Sequence, residues 1–208
     1  MEIYSCEISD LKVSVFSFGL DNFIKKTEYE LVKDSDFSDS DVLVFFSRSE
    51  DKAVSAVLDK IYDEGTTASL RAAVYMSAPG KVHPLLDAAV SANESELVCA
   101  LSDFLKLLDC YAYINTVDIG ERLYGIGHVK YKPLGGAGSL SECELKAKDV
   151  LSGAKSAVFL LEVPEEVWIS DIDGFAAALE EGTGNADICL AAQRRGRTVK
   201  ASAFTISD

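Results

Sequence analysis

Proline is scarce in this chain, four residues in 208, and no low-complexity tract accompanies them. That excludes a long disordered arm or Pro-rich linker. Histidine occurs only twice, and the five cysteines (Cys6, Cys99, Cys110, Cys143 and Cys189) are scattered without a CxxC pair. Zinc sites need closely spaced ligands, so no metal site is expected. An odd set of dispersed cysteines, with no secretory leader pattern at the start, predicts reduced thiols in a cytoplasmic protein. No apolar run approaches the roughly 20 residues of a membrane-spanning helix. Neither GxGxxG nor GxxxxGK[ST] occurs, which removes the dinucleotide fingerprint and the P-loop. Positive charge is also in short supply: 20 Lys and Arg against 34 Asp and Glu leave a formal charge of −14. Such a field repels phosphate backbones and anionic lipid, so neither nucleic acid nor a membrane surface is an expected partner. Arg194, Arg195, Arg197 and Lys200 form a local exception, expected at a solvated hairpin tip.

What is present is globular: 48% hydrophobic and 26% charged residues can bury a sizeable core. Leu11 to Phe18 alternates and then turns apolar, predicting a strand that ends at Gly19. Val42 to Phe46 is a continuous apolar run of the kind found in buried parallel strands. Ala53, Val54, Val57, Leu58 and Ile61 recur at helical spacing, with Gly65 as the stop. Leu70 to Met76 predicts a further strand, ended by Pro79-Gly80. A long helical region is expected from Leu85 to Leu108, with a possible break near Asn93 and a stripe of Leu97, Ala100, Leu101, Phe104, Leu105 and Leu108.

Beyond it, Tyr124 to Val129 predicts a short strand followed by a flexible Gly135-Gly136-Ala137-Gly138. Ser141 with Glu144 reads as a capping box for a helix to Leu151. Ser156 to Val163 follows as a strand, and Ser170 and Asp171 open a helix ending near Gly182. Ala186 to Gln193 and Thr198 to Ile206 predict two strands forming a hairpin around Arg195-Gly196-Arg197. The β-α-β order of the first half implies a parallel sheet, and the β-α-β-α-β-β order of the second a single-sided α+β layer.

Several landmarks fall in a known order. Leu101-Ser102-Asp103-Phe104-Leu105 is similar to the end of the linking helix of the tubulin/FtsZ family. Ile114-Asn115-Thr116-Val117-Asp118-Ile119-Gly120-Glu121 resembles the loop that follows it, with one extra residue before Asp118 and glutamate in place of the second aspartate. Gly125-Ile126-Gly127 resembles the family's next strand, and the helix, strand, helix, strand, strand order after it also matches. The resemblance spans about Leu97 to Ile206. In the first half, Val13 to Gly19 with Asn22 resembles the first strand and phosphate loop, and Asp41 to Ser47 the strand before the glycine-rich loop.

The resemblance implies an α/β fold: a reduced Rossmann-like parallel-sheet part over 1–84, a linking helix over 85–110, and an FtsZ C-terminal-like α+β domain over 111–208. It also implies that the 114 to 121 loop serves a neighbouring subunit's GTP, with Asp118 and Glu121, helped by Asn115, acting in trans. The plainer reading is that these acids cap and charge the start of a turn. Where the family has its glycine-rich loop, this chain has Ser47-Arg48-Ser49-Glu50-Asp51-Lys52. Bare backbone N–H groups hold phosphate, and side chains, two of them carboxylates, block that approach. No cofactor is therefore expected; if GTP binds at all, Gly19 and Asn22 are the candidate contacts.

The leading expectation is a non-catalytic FtsZ-like protein acting by protein contacts. It would cap or regulate an FtsZ-type polymer, or self-associate without GTP. A divergent GTPase is the alternative, and a small-molecule-binding α+β protein the third. His83 and His128 lie near no nucleophile elbow; His128 is expected in a local hydrogen bond, and His83 in a loop between Lys81 and Pro84. Trp168 and Pro164 are expected to pack the seam between the halves.

Overall fold

The computed structural model describes residues 1–49, 52–63, 65–77, 81–114, 126–183 and 186–206. They divide into two compact units, Met1–Asp109 with Leu123–Val129, and Cys110–Arg122 with Lys130–Asp208. The architecture is mixed α/β.

In the first unit, β1 (Glu2–Ile8) and β2 (Leu11–Ser17) form an antiparallel hairpin. Ser9 and Asp10 both take positive φ in its two-residue turn, which matches the twist of the strands. The strand β1 is absent from the sequence expectations because its residues mix polar and apolar types. A one-turn helix α1 (Asp21–Ile24) follows, then β3 (Val32–Asp34), which pairs antiparallel with β1. The span between Lys26 and Asp39 thus contains this one strand of three residues. The sheet continues through β4 (Val42–Ser47), the helix α2 (Lys52–Asp63), β5 (Leu70–Tyr75) and β6 (Ala88–Ser91). Strand order is β3-β1-β2-β4-β5-β6, with β2, β4, β5 and β6 mutually parallel. Every residue of β4 is buried, as its unbroken apolar run required. On one face Phe16, Phe45 and Tyr75 pack under Val54, Leu58 and Ile61 of α2, and Phe16 stacks on Phe45 at 5.0 Å.

The expected helix from Leu85 is corrected here. Residues 88–91 form β6, a single 3-10 turn spans Glu94–Glu96, and only Leu97–Leu107 is the helix α3. Ala-Ala-Val favours helix by local propensity. All four residues of β6 are buried, however, and the backbone pairing that β5 offers outweighs a preference of a few tenths of a kcal/mol. The segment after α1 is tied to α3: Glu28 N–H donates to Ser102 Oγ at 3.4 Å, and Lys106 Nζ lies 2.8 Å from the Glu28 carboxylate.

The second unit holds β7 (Tyr111–Ile114), most of β8 (Gly127–Ala137), α4 (Leu140–Leu151), β9 (Ser156–Pro164), α5 (Ile169–Thr183), β10 (Asp187–Gly196) and β11 (Val199–Ile206). The glycines at 135 and 136, expected to be flexible, lie within β8, where Gly136 pairs with Lys200 across a register shift. A strand glycine at an irregularity is a normal use of its missing side chain. The capping box is also displaced. Ser139, not Ser141, is the N-cap, its Oγ accepting from Glu142 N–H at 3.3 Å, while the Glu142 carboxylate accepts from Gly138 N–H at 2.7 Å.

The expected hairpin of β10 and β11 does not form. Strand order is β8-β11-β9-β10-β7, so β9 lies between them, parallel to β10 and antiparallel to β11. Six of the nine residues of β9 are buried, so it belongs at the centre, and both later strands gain more by flanking it than by pairing with each other. The two helices share one face of this sheet: Cys143, Ala147 and Leu151 of α4 and Ile172, Phe175 and Leu179 of α5 pack on Phe159, Leu161 and Leu190.

Candidate functional site

In an open parallel sheet, ligands gather outside the carboxyl ends of the strands. In the first unit that edge is formed by the residues following β2, β4, β5 and β6. After β2 the chain turns at Gly19, whose φ of +74° suits glycine and where an added Cβ would meet nothing within 4 Å. Leu20 N–H donates to Ser17 Oγ at 3.3 Å, and the buried Leu20 and Ile24 anchor the single turn of α1. Gly19 and Asn22 are thus brought onto one turn, with Asn22 exposed.

The first residue of α1 is Asp21, a residue that sequence reasoning passed over. Its carboxylate accepts from the Tyr4 hydroxyl at 3.0 Å. Burial first, and then this carboxylate, push the Tyr4 hydroxyl above its ordinary range and keep it a donor. A carboxylate at the start of a helix complements the exposed N–H dipoles there itself, and opposes a phosphate at the same place. Only the alternation of Tyr4 within β1 could have pointed to this pair.

After β4, Arg48 is exposed and lies 3.9 Å from the Glu94 carboxylate, while Ser77 Oγ donates to Arg48 C=O at 3.3 Å. Asn93 Nδ2 donates to Glu96 at 3.0 Å. The edge therefore carries the carboxylates of Asp21, Glu94 and Glu96, and Arg48 lies beside Glu94. Glu50 and Asp51 lie outside the described residues, as do Asn115, Asp118 and Glu121.

At the end of β6, the buried Ser91 hydroxyl sits 3.0 Å from His128 Nε2 and 3.4 Å from Val129 C=O. His128 thus meets a residue 37 positions away in the chain. His83 bonds both near and far: its Nδ1 accepts from Leu85 N–H at 3.3 Å, and its Nε2 lies 3.6 Å from Asp59.

A hollow of about 550 Å³ lies elsewhere in this unit, against Ser5, Cys6, Glu7, Lys12, Tyr29 and Val32. Lys12 opens β2, so this hollow faces the amino end of the sheet. Burial pushes the Cys6 thiol up to about 11, which removes it as a nucleophile near neutrality. Cys143 is raised to about 11 by the same cause. Among the described residues, no group of three or more His, Cys, Asp or Glu side chains could hold a metal ion. All five cysteines are free thiols. No described helix is long and apolar enough to cross a membrane. Trp168, expected in a seam, is instead 75% exposed.

No family model matches the sequence, and no curated protein matches it significantly. The fold does have counterparts among solved structures. An empty FtsZ dimer from M. jannaschii superposes with a TM-score of 0.56 at 14% identity, covering 81% of this chain and 64% of that one. A tryptophan-to-tyrosine variant of M. jannaschii FtsZ superposes with a TM-score of 0.55 at 13% identity, covering 81% of this chain and 66% of the other. The chain thus spans just under two thirds of the FtsZ chains it resembles. At such identities the likeness is one of fold.

Proposed function

We propose that this chain, which has an FtsZ-like fold, is a non-catalytic protein that works through protein contacts, capping or otherwise regulating an FtsZ-type polymer. The observation that carries this reading is the turn after β2. Its helix is a single turn, and its first residue, Asp21, puts a negative charge at the helix start, where it opposes a phosphate. The Ser47 to Lys52 sequence adds side chains where a glycine loop would leave bare backbone. Arg48, within that stretch, lies 3.9 Å from the Glu94 carboxylate. An FtsZ-like subunit without nucleotide of its own can still offer Asn115, Asp118 and Glu121 to a neighbour's nucleotide. It would then join a polymer at one end only and stop growth there. That one of the similar structures is an FtsZ dimer supports the use of this fold for subunit contacts.

Sedimentation of purified FtsZ with GTP, with and without an equimolar amount of this chain, tests the reading. A changed polymer mass or turnover is expected, and Asp118→Ala with Glu121→Ala should weaken the effect. Polymer mass and turnover that ignore the added chain would refute it.

A further inference from the structure

One end of the second unit departs from the charge of the whole. The chain carries −14, yet Arg194, Arg195, Arg197 and Lys200 are all exposed where β10 ends and β11 begins. The same end carries Trp168, 75% exposed, and Ile169, 53% exposed, at the start of α5. A hollow of about 380 Å³ opens beside them, lined by Leu140, Pro164, Val167, Arg197 and Val199 among others. A tryptophan left in water next to arginines and a hollow of mixed lining, with Glu166 and Asp171 beside Leu140, Val167 and Val199, is the composition of a protein-binding hot spot.

The backbone here is held firmly while the ring is not covered. Trp168 C=O accepts from Asp171 N–H at 3.0 Å, Val167 N–H donates to Pro164 C=O at 3.1 Å, and the Arg194 guanidinium donates to Glu165 C=O. An anchor on a fixed backbone loses little freedom on binding.

The opposite charge is found on the same chain. At the end of β3 and in the loop to β4 stand Asp34, Asp36 and Asp39, of which Asp34 accepts from Ser5 Oγ at 2.9 Å, Asp39 pairs with Lys12 and Asp36 is exposed. Asp34 accepts from the N–H groups of Ser35 at 2.7 Å and Asp36 at 3.1 Å, and Asp36 accepts from Ser38 N–H at 2.9 Å. These bonds hold both carboxyls below the usual range, so the loop stays negative at any working pH.

We propose that the Trp168 and arginine end is a docking surface for a second copy of the chain, seated against that copy's Asp34 to Asp39 loop. The inference rests on the reading that the chain acts by protein contacts and names a self-contact for it. Glu165, Glu166 and Asp171 are interleaved with the arginines. They would repel a uniform polyanion such as a duplex or an anionic bilayer, whereas a mixed-charge protein surface can complement both signs. The contact is heterologous, so in an associated pair one copy keeps its loop unused and the other its Trp168 end.

Sedimentation equilibrium of the full chain provides the test. Concentration-dependent association is expected at about 0.05 M salt, weakened at about 0.5 M where screening is short-ranged. Trp168→Ala with Arg197→Ala should weaken it at least about tenfold, as should Asp36→Asn with Asp39→Asn. Circular dichroism would check that both variants remain folded. Mixing the two variants should restore a heterodimer that grows no further, because each supplies the surface the other lacks. A chain that stays monomeric at low salt, variants that associate like the parent, or a mixture that forms no dimer would each overturn the proposal. So would loss of binding to phosphatidylglycerol vesicles in the Trp168 variant of a monomeric parent. A monomer that still alters FtsZ polymers defeats this inference alone; an associating chain that FtsZ ignores defeats only the earlier reading.

Discussion

Ser139 and Ser141 present the same side chain two residues apart, and only one of them caps α4. Ser139 Oγ accepts from Glu142 N–H, and the Glu142 carboxylate returns to Gly138 N–H, so two otherwise unsatisfied donors are met. Ser139→Ala should cost about 1 kcal/mol of stability in urea unfolding, and Ser141→Ala only a few tenths. Equal losses from both would place the cap wrongly. Both serines stand three residues before a glutamate, so spacing alone could not choose between them. The choice was made by where β8 ends, since that strand runs to Ala137 and leaves Gly138 as its exit. Asp21 teaches the same lesson from another side. Its role depends on a tyrosine 17 residues earlier, in a strand whose mixed composition concealed it.

At the scale of elements, β9 organises the second unit. Phe159 is fully buried between α4 and α5 and tilts against Phe175 at 5.8 Å. Phe159→Ala should destabilise the protein by about 3–5 kcal/mol, through lost transfer energy and the cavity left behind. A loss below about 1 kcal/mol in denaturant unfolding would mean that this strand is not the centre of the sheet. The helices α4 and α5 and the apolar strands β4, β5 and β9 were legible in the sequence within a residue or two, while α3 was legible at its end but not at its start. The pairing of β10 and β11 was not, because turn chemistry favours joining neighbours and carries no information about a third strand that both prefer. The short β6 was hidden for a related reason: Ala-Ala-Val is compatible with either state, and β5 decided it.

At the scale of the whole molecule, the question is whether the carboxyl edge of the parallel sheet still serves a nucleotide. A site with a dissociation constant of about 10 µM would add roughly 2.7 kcal/mol of stability in about 1 mM GTP with magnesium, a shift of several degrees in Tm. Thermal unfolding monitored by circular dichroism should show no such shift. A clear upward shift, absent with ATP, would favour a divergent GTP-binding protein using Gly19 and Asn22. The negative charge carried by Asp21, Glu94 and Glu96 at this edge is the physical ground for expecting none.

The sequence by itself determined the α/β character of the chain, the parallel core strands and the likeness in landmark order from Leu97 onward. Those features depend on local periodicity and on a few spacings, which the chain carries without reference to its fold. It also determined the loss of glycines where phosphate would need bare backbone. Only the tertiary structure decided that Asp21 stands at the start of α1, that β9 separates β10 from β11, and that Trp168 remains in solvent beside the arginines. Each of these depends on contacts between residues far apart in the chain. Such contacts depend on which partner wins a buried surface or a backbone donor, a competition that no single stretch of sequence records.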